Sequence, residues 1–123
     1  MHAFVQVPAD IDSILQKGCV NCHTNQTQWP WYARFAPISW LANQDVARGR
    51  EVFNMSEWGT RYGAKPAIGA TMLISGCSSM KSGRMPLPQY RLMHADAKLS
   101  APELERYCDW AKAEARGLVR RKR

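Results

Sequence analysis

Residues 19–23 read Cys19-Val20-Asn21-Cys22-His23, two cysteines separated by two residues with a histidine directly after the second. A chain of 123 residues forms a single domain with only a modest hydrophobic core, so a site of this kind decides what the core surrounds. Three chemistries use this spacing: a thiol–disulfide redox pair, half of a zinc site, and covalent attachment of haem. Each makes a different demand on the rest of the sequence.

Zinc and redox chemistry lack their usual partners in this sequence. A structural zinc site normally takes four ligands, often as two close pairs, but Cys77 and Cys108 are far apart and neither has a histidine nearby. A thioredoxin-type pair follows a strand in an α/β unit, whereas helix and loop patterns flank Cys19 and Cys22. A disulfide between these two cysteines would be tight and strained.

Haem attachment accounts for more of the sequence. A two-residue spacer lets two thiols reach the two vinyl groups of one porphyrin, and the next histidine is then placed under the iron. A planar apolar cofactor also needs apolar side chains around it, and five aromatic residues that follow the motif could supply them: Trp29, Trp31, Tyr32, Phe35 and Trp40. The alternative for any one of them is ordinary packing in the core.

The N-terminal half of the sequence predicts two helices separated by a loop. Asp10 or Asp12 can cap a short helix that leads toward the first cysteine and carries three apolar residues: Ile11, Ile14 and Leu15. Residues 25–37 contain two prolines and polar turn formers, which indicate an ordered loop. A second helix is expected over about 38–50, with Trp40, Leu41 and Val46 facing the core.

The C-terminal half predicts two further helices joined by an extended segment. An early proline and a late Gly83 bound a helix over about 66–81. The prolines at 86 and 88 predict an extended segment after it. Ser100 and Glu103 form a capping box for the last helix, which carries Leu104, Tyr107, Cys108 and Ala111 on one face. No run alternates with period two, so the expected fold class is all-α with about four helices.

The net charge of +7 is concentrated at the C-terminus. Five of the seventeen basic residues lie between positions 116 and 123, and the charges of the remaining twelve are nearly balanced by those of ten acidic residues. The body of the domain is therefore nearly neutral, and no nucleic-acid-binding signature is present. We expect a solvated basic tail over about 116–123, with contact to an acidic partner or to anionic lipid as the alternative.

Two long stretches of the chain resemble a known family. They are "CVNCHTNQTQWPWYARFAPISWLANQDVARGREVFNMSEWG" and "MKSGRMPLPQYRLMHADAKLS". Both are similar to the small bacterial haem-binding domain family, whose members carry CxxCH followed by Trp-Pro-Trp-Tyr, Ala-Pro-x-Ser-Trp, Phe-Ser-Glu-Trp-like and Met-Pro-Leu-Pro segments. The third segment departs slightly here, and the resemblance covers roughly residues 8–115.

This resemblance implies a monohaem c-type cytochrome and a variant of the class I cytochrome c fold. About four helices would pack around one covalently bound haem c, within a single domain over residues 1–123 that carries a Trp-rich loop insert. Cys19 and Cys22 would form thioethers to the haem, and His23 would be one axial ligand of the iron. Candidates for contacts with the haem propionates are Arg34, Trp40, Trp58 and Arg61.

Met85 is the expected second axial ligand. Pro86 and Pro88 fix the backbone after it, and the Met85-Pro86 step matches the ligand segment of class I cytochromes. The other candidates are Met55, Met72, Met80, Met93 and His94, of which Met72 and Met80 are expected to be core filler on a helix. Haem would use two of the four cysteines, which leaves Cys77 and Cys108 for a disulfide or, alternatively, as two buried free thiols.

These features imply an electron carrier rather than an enzyme. Haem iron between an imidazole and a thioether exchanges one electron with little rearrangement, and no arrangement of a base and a nucleophile stands out in the sequence. A haem-based redox or gas sensor and a peroxidase-like enzyme with an open distal site are the alternatives. The expected partners are redox proteins, whose docking surfaces would be acidic; nucleic acid is not expected.

The resemblance also implies a periplasmic protein. Thioether attachment of haem in bacteria normally takes place outside the cytoplasmic membrane, so the chain is expected to be exported, with its signal or anchor not present in this sequence. Contact of the basic tail with a membrane is a lesser alternative, and a monomer is expected.

Overall fold

Helices make up the secondary structure of the computed structural model, which describes residues 1, 4–27, 34–94 and 97–121. Their bounds are Ala9–Gly18 (α1), Val20–His23 (α2), Ile38–Val52 (α3), Trp58–Tyr62 (α4), Pro66–Lys81 (α5), Pro88–Met93 (α6) and Ala101–Arg121 (α7), with a 3-10 turn at Met55–Glu57. No strand occurs in the described ranges, so the all-α prediction is confirmed. Within those ranges, four helices have ten or more residues: α1, α3, α5 and α7.

Helices α5 and α7 pack along each other and form the main part of the core. Leu73 of α5 is buried against Tyr107 and Ala111 of α7. The Tyr107 hydroxyl donates a hydrogen bond to the Leu73 carbonyl over 3.2 Å. A Cβ at position 76 would lie 2.5 Å from that hydroxyl oxygen, so Gly76 is what lets the tyrosine side chain lie across α5. The last helix therefore faces the core, as its apolar face predicts.

A disulfide between Cys77 and Cys108 joins the same two helices, with 5.1 Å between their Cα atoms. Both residues are buried in the α5–α7 interface. This is the pairing expected if Cys19 and Cys22 are not used for a disulfide. Both of these cysteines are free thiols.

Helix α1 lies on α7 and thereby places the motif that follows it. The short helix is present as predicted, and its residues Ile11, Ile14 and Leu15 are buried. Ion pairs at the edge of this contact, Lys17–Glu103 at 2.8 Å and Arg106–Asp10 at 2.6 Å, are partly exposed, so water and salt screen them. Burial of the apolar face is thus the larger stabilising term.

The predicted aspartate cap of α1 is wrong. The N-cap is Pro8, with no side-chain cap, because the helix starts one residue before Asp10 and places Asp10 in its first turn. Asp10 accepts hydrogen bonds from Arg106 instead, and that guanidinium lowers the pKa of the carboxyl. The capping box of α7 is confirmed: the Ser100 amide donates to Glu103 Oε1 and the Glu103 amide donates to Ser100 Oγ.

The inward face predicted for the second long helix is only partly correct. Val46 of α3 is buried, but Trp40 is 70% and Leu41 is 43% exposed. Among the described residues, α3 packs chiefly against α2 through its C-terminal half, so its first turns are not covered by α5 or α7. Residues 28–33 of the loop expected over 25–37 lie outside the described residues, and they include Trp29, Trp31 and Tyr32.

Two other expectations change at the C-terminal side. Residues from Pro88 onward form α6 rather than an extended segment, because proline is tolerated in the first turn of a helix. The basic stretch expected as a solvated tail begins as ordered helix, since α7 runs to Arg121 and Leu118 is buried. The α5 bounds agree with prediction, and Gly83 after it has φ +80°.

Within the described residues, no helix combines the length and the apolar composition needed to cross a membrane.

Replacing both Cys77 and Cys108 by alanine should lower the free energy of unfolding by roughly 3–4 kcal/mol, because the bond closes a long loop in the unfolded chain. The residues it joins are 31 apart in sequence. Guanidinium unfolding of the two proteins measures the difference. Reductant should lower the midpoint of the parent protein and leave that of the variant unchanged; equal midpoints in oxidising buffer would contradict the prediction.

Candidate functional site

The CxxCH motif forms a compact turn at the end of α1. Cys19 caps that helix by donating its backbone N–H to the Leu15 carbonyl over 2.9 Å. Its own carbonyl then accepts the backbone N–H of His23, also at 2.9 Å. Both thiols and the imidazole are therefore carried by one short, hydrogen-bonded segment, Cys19 followed by α2, whose position depends on the packing of α1 against α7.

The His23 ring is held by two backbone carbonyls. Its Nδ1 lies 2.8 Å from the Phe53 oxygen and 3.0 Å from the Gly49 oxygen. A carbonyl oxygen can only accept, so Nδ1 carries the proton and donates it. In the neutral ring the lone pair is then on Nε2, which is the form that binds a metal ion. A histidine whose other ring nitrogen donates to a carbonyl is the usual arrangement of a metal ligand.

Close approach of α3 to the motif depends on Gly49. A Cβ at this position would lie 2.5 Å from the Cys22 carbonyl oxygen and 3.0 Å from the Cys22 Cβ. Only glycine allows this contact without moving one backbone away from the other. The same residue supplies one of the carbonyls that hold His23.

The chain that follows His23 is tied to the end of α3. Arg50 Nε donates to the Thr24 carbonyl and Arg50 Nη2 donates to Thr27 Oγ1, each over 2.9 Å. Asn54, which is 1% exposed, donates from Nδ2 to Asn25 Oδ1 over 2.7 Å. Because Asn54 is buried, its amide needs these partners. Hydrogen bonds thus hold the chain in place both before His23, at Cys19, and after it, at Thr24 and Asn25.

Two cavities adjoin the motif and share part of their lining. The first, of about 120 Å³, is lined by Cys19, Phe53 and Tyr107, and the second, of about 230 Å³, by Cys22 and Tyr90. Five residues line both: Gly18, His23, Val52, Met85 and Pro86. The tertiary structure therefore brings the four residues proposed from the sequence, Cys19, Cys22, His23 and Met85, to one place.

Other candidate ligands are sorted by the same cavities. Met72 and Met80, expected as core filler, line the first cavity, which sequence reasoning missed. Met72, Gly76 and Met80 follow one another at intervals of four residues along α5, which puts them on one face of the helix. That spacing was the signal in the sequence that could have placed both methionines at one cavity. Met55 is buried in the core and lines neither of these cavities, and His94 stacks on Tyr90 with centroids 4.3 Å apart. The Met93 side chain lies outside the described part of the chain.

The expected aromatic wall and propionate contacts are placed differently. Phe35 and Trp40 are exposed and line neither cavity; Phe53, Tyr90 and Tyr107 supply the aromatic lining. The four propionate candidates do not line the cavities either. Trp58 is fully buried elsewhere, and Arg61 pairs with Glu57 at 2.9 Å. Arg48, which the sequence analysis did not single out, lines the second cavity.

The thiols do not resemble those of a redox pair. Burial raises the pKa of Cys19 to about 12, with a smaller contribution from Cys22. Burial and the Asp45 carboxylate raise the pKa of Cys22 against the opposing effect of Arg50. Redox-active CxxC pairs instead have a lowered thiol pKa. The site is therefore unlike a thiol–disulfide oxidoreductase.

Zinc is disfavoured by the remaining cysteines. Cys77 and Cys108 are bonded to each other and cannot complete a tetrahedron with the motif. Over residues 1, 4–27, 34–94 and 97–121, no group of three or more histidine, cysteine, aspartate or glutamate side chains is arranged to hold a metal ion.

Replacing Gly49 by alanine should displace α3 from the motif and destabilise the protein by about 1–3 kcal/mol, as overpacking does. Gly59→Ala is the matched control, because a Cβ there would meet the ring atoms of Phe4, a side chain that is 42% exposed, rather than backbone atoms. Guanidinium unfolding gives the free energies, and ¹⁵N NMR of the imidazole reports the hydrogen bond at His23 Nδ1. Equal effects of the two substitutions would contradict the prediction.

Comparison with known proteins identifies the family of the chain. A family model described as "Haem-binding domain" matches residues 1–113, which is nearly the whole chain. No curated protein and no solved structure shows a significant match. The matched segment includes the motif, both cavities and the segment that carries Met85. The chain is a member of the haem-binding domain family.

Proposed function

We propose that this haem-binding domain is a monohaem c-type cytochrome that carries one electron at a time. The observation that carries the proposal is the shared lining of the two cavities by His23 and Met85, with Cys19 in one cavity and Cys22 in the other. When bound there, haem supplies an iron that alternates between its ferric and ferrous states.

The residues of the motif fit a covalently held haem. Cys19 and Cys22 are free thiols at the spacing that two porphyrin vinyl groups require. His23 donates from Nδ1 to the carbonyls of Gly49 and Phe53, so its Nε2 is available for the iron. We assign the two cysteines to thioether bonds and His23 to one axial position.

Met85 is the methionine that we assign to the opposite axial position. It lines both cavities, as His23 does, whereas Met72 and Met80 line only the first. Its neighbour Pro86 is buried and packs on the end of α1, since a Cβ at Gly18 would lie 3.1 Å from Pro86 Cγ. The segment with Met85 is thereby held beside the segment with Cys19. A thioether ligand favours ferrous iron and raises the reduction potential.

The side chains around the first cavity favour electron transfer over catalysis. Besides the proposed ligands they include the thioethers of Met72 and Met80 and the hydroxyls of Ser75 and Ser79. Burial raises the pKa of Tyr107, which therefore stays protonated at neutral pH. A peroxidase needs an acid–base group beside the iron; His94 lines neither cavity, and the carboxylate in their lining is that of Asp45 in the second cavity. A role in the periplasm with redox-protein partners follows from this proposal.

Covalent haem is the first test. Protein produced with the haem-attachment machinery should have the mass of the chain plus one haem and should give the alkaline pyridine spectrum of haem c. Cys19→Ala with Cys22→Ala should abolish both signals. Cys77→Ala with Cys108→Ala, the control, should keep them, because that disulfide joins α5 to α7 and takes no part in the motif. A parent protein with the mass of the bare polypeptide would end the proposal.

Replacing Met85 by alanine tests the sixth ligand. The variant should keep covalent haem, lose the weak sulfur-to-iron charge-transfer band at the red end of the ferric spectrum, and show a lower reduction potential. It should also bind carbon monoxide in the ferrous state, which the parent should resist. Met72→Ala and Met80→Ala are matched controls that line the same cavity. If one of them shows these changes and Met85→Ala does not, the assignment is wrong.

A further inference from the structure

A groove of about 810 Å³ runs between the N-terminal half of α5 and the C-terminal half of α7. Its lining includes Ala67 and Ile74 from α5 and Val119 from α7, together with three basic residues: Lys112, Arg116 and Arg120. Ile74 and Val119 are 41% and 42% exposed, which leaves apolar surface open to solvent. We refer to this feature as the α5–α7 groove.

The charges of this groove lie along one edge. Lys112, Arg116 and Arg120 follow one another at steps of four on α7, so they share one face of the helix and extend over roughly 12 Å. No acidic residue is part of the lining, and the α5 side contributes no charge. None of the three forms an ion pair with a described residue. The groove therefore has an apolar floor and a single, uncompensated basic edge.

We propose that the α5–α7 groove binds an acidic amphipathic helix of a partner protein. A helix seats its apolar face in a groove of this kind through side chains spaced three and four residues apart. Acidic residues along one flank of that helix would then meet Lys112, Arg116 and Arg120. Three cations in one row on α7 complement a row of acidic side chains on a docked helix.

This inference does not depend on the proposed electron transfer. The groove lies across α5 from the first cavity, with Ser75 as a lining residue of both. Of the basic edge, Lys112 lies within the residues that the family match covers, and Arg116 and Arg120 lie beyond residue 113, where that match ends. Failure of haem attachment would leave the groove and its charges in place.

A pair of designed peptides tests the inference on the full, haem-loaded chain. Both are helices of about 18 residues with one leucine stripe. One carries glutamates along a flank, and the other carries glutamines at the same positions. Titration followed by ¹⁵N NMR should show tighter binding of the glutamate peptide by about tenfold or more, with shifts at Ala67, Ile74 and Val119, and weaker binding as salt rises.

Charge reversal provides the matched comparison. Arg116→Glu with Arg120→Glu should weaken binding of the glutamate peptide by about tenfold or more, and Arg116→Gln with Arg120→Gln should weaken it less. Lys81→Glu, an exposed lysine at the other end of α5, should leave it unchanged. Circular dichroism melts check that the variants are folded. If the double glutamate variant does not fold, the double glutamine variant provides the comparison.

Four results would overturn the proposal. They are equal binding of the two peptides, binding that ignores the arginine substitutions, shifts confined to another surface, and no binding of either peptide at millimolar concentration. Vesicles with anionic phospholipid provide the last comparison. If they bind through Arg116 and Arg120 while the glutamate peptide does not, the groove contacts a membrane surface and the helix assignment is wrong.

Discussion

Contact between α3 and the CxxCH segment at Gly49 is the constraint on which the site depends. Because position 49 has no Cβ, the backbone of α3 reaches the Cys22 carbonyl and presents its own carbonyl to His23. Phe53, one turn later, supplies the second carbonyl. These acceptors select the ring form with its lone pair on Nε2, so the histidine is prepared for a metal by backbone atoms.

The opposite side of the site is carried by the α5–α7 pair. The Cys77–Cys108 disulfide and the packing of Tyr107 across Gly76 hold these helices together. The segment that leaves α5 then packs on Gly18, at the end of α1, and carries Met85 to the cavities. The proposed haem site would draw its residues from three parts of the chain, and its shape would depend on how α1, α3 and α5 are fixed to one another.

Local signals predicted individual helices well where one face is clearly apolar. The face of α1 with Ile11, Ile14 and Leu15, the capping box of α7 and the bounds of α5 all agree with the structure. Periodicity failed for Trp40 and Leu41, since an apolar stripe does not reveal whether another element covers it. It also failed to show that Met72 and Met80 of α5 line a cavity, because both side chains pack against the core as well.

The sequence by itself limited the chemistry of the site to three kinds: a thiol–disulfide pair, half of a zinc site or haem attachment. It could do so because a cysteine pair with an adjacent histidine is a local arrangement with a fixed spacing. Only the tertiary structure decided which further methionines, which cation and which aromatic rings lie beside that arrangement. Met85, Arg48 and Tyr107 reach the cavities from segments distant in sequence. Their positions follow from side-chain packing between helices, which depends on shape complementarity and leaves no periodic signal in the sequence.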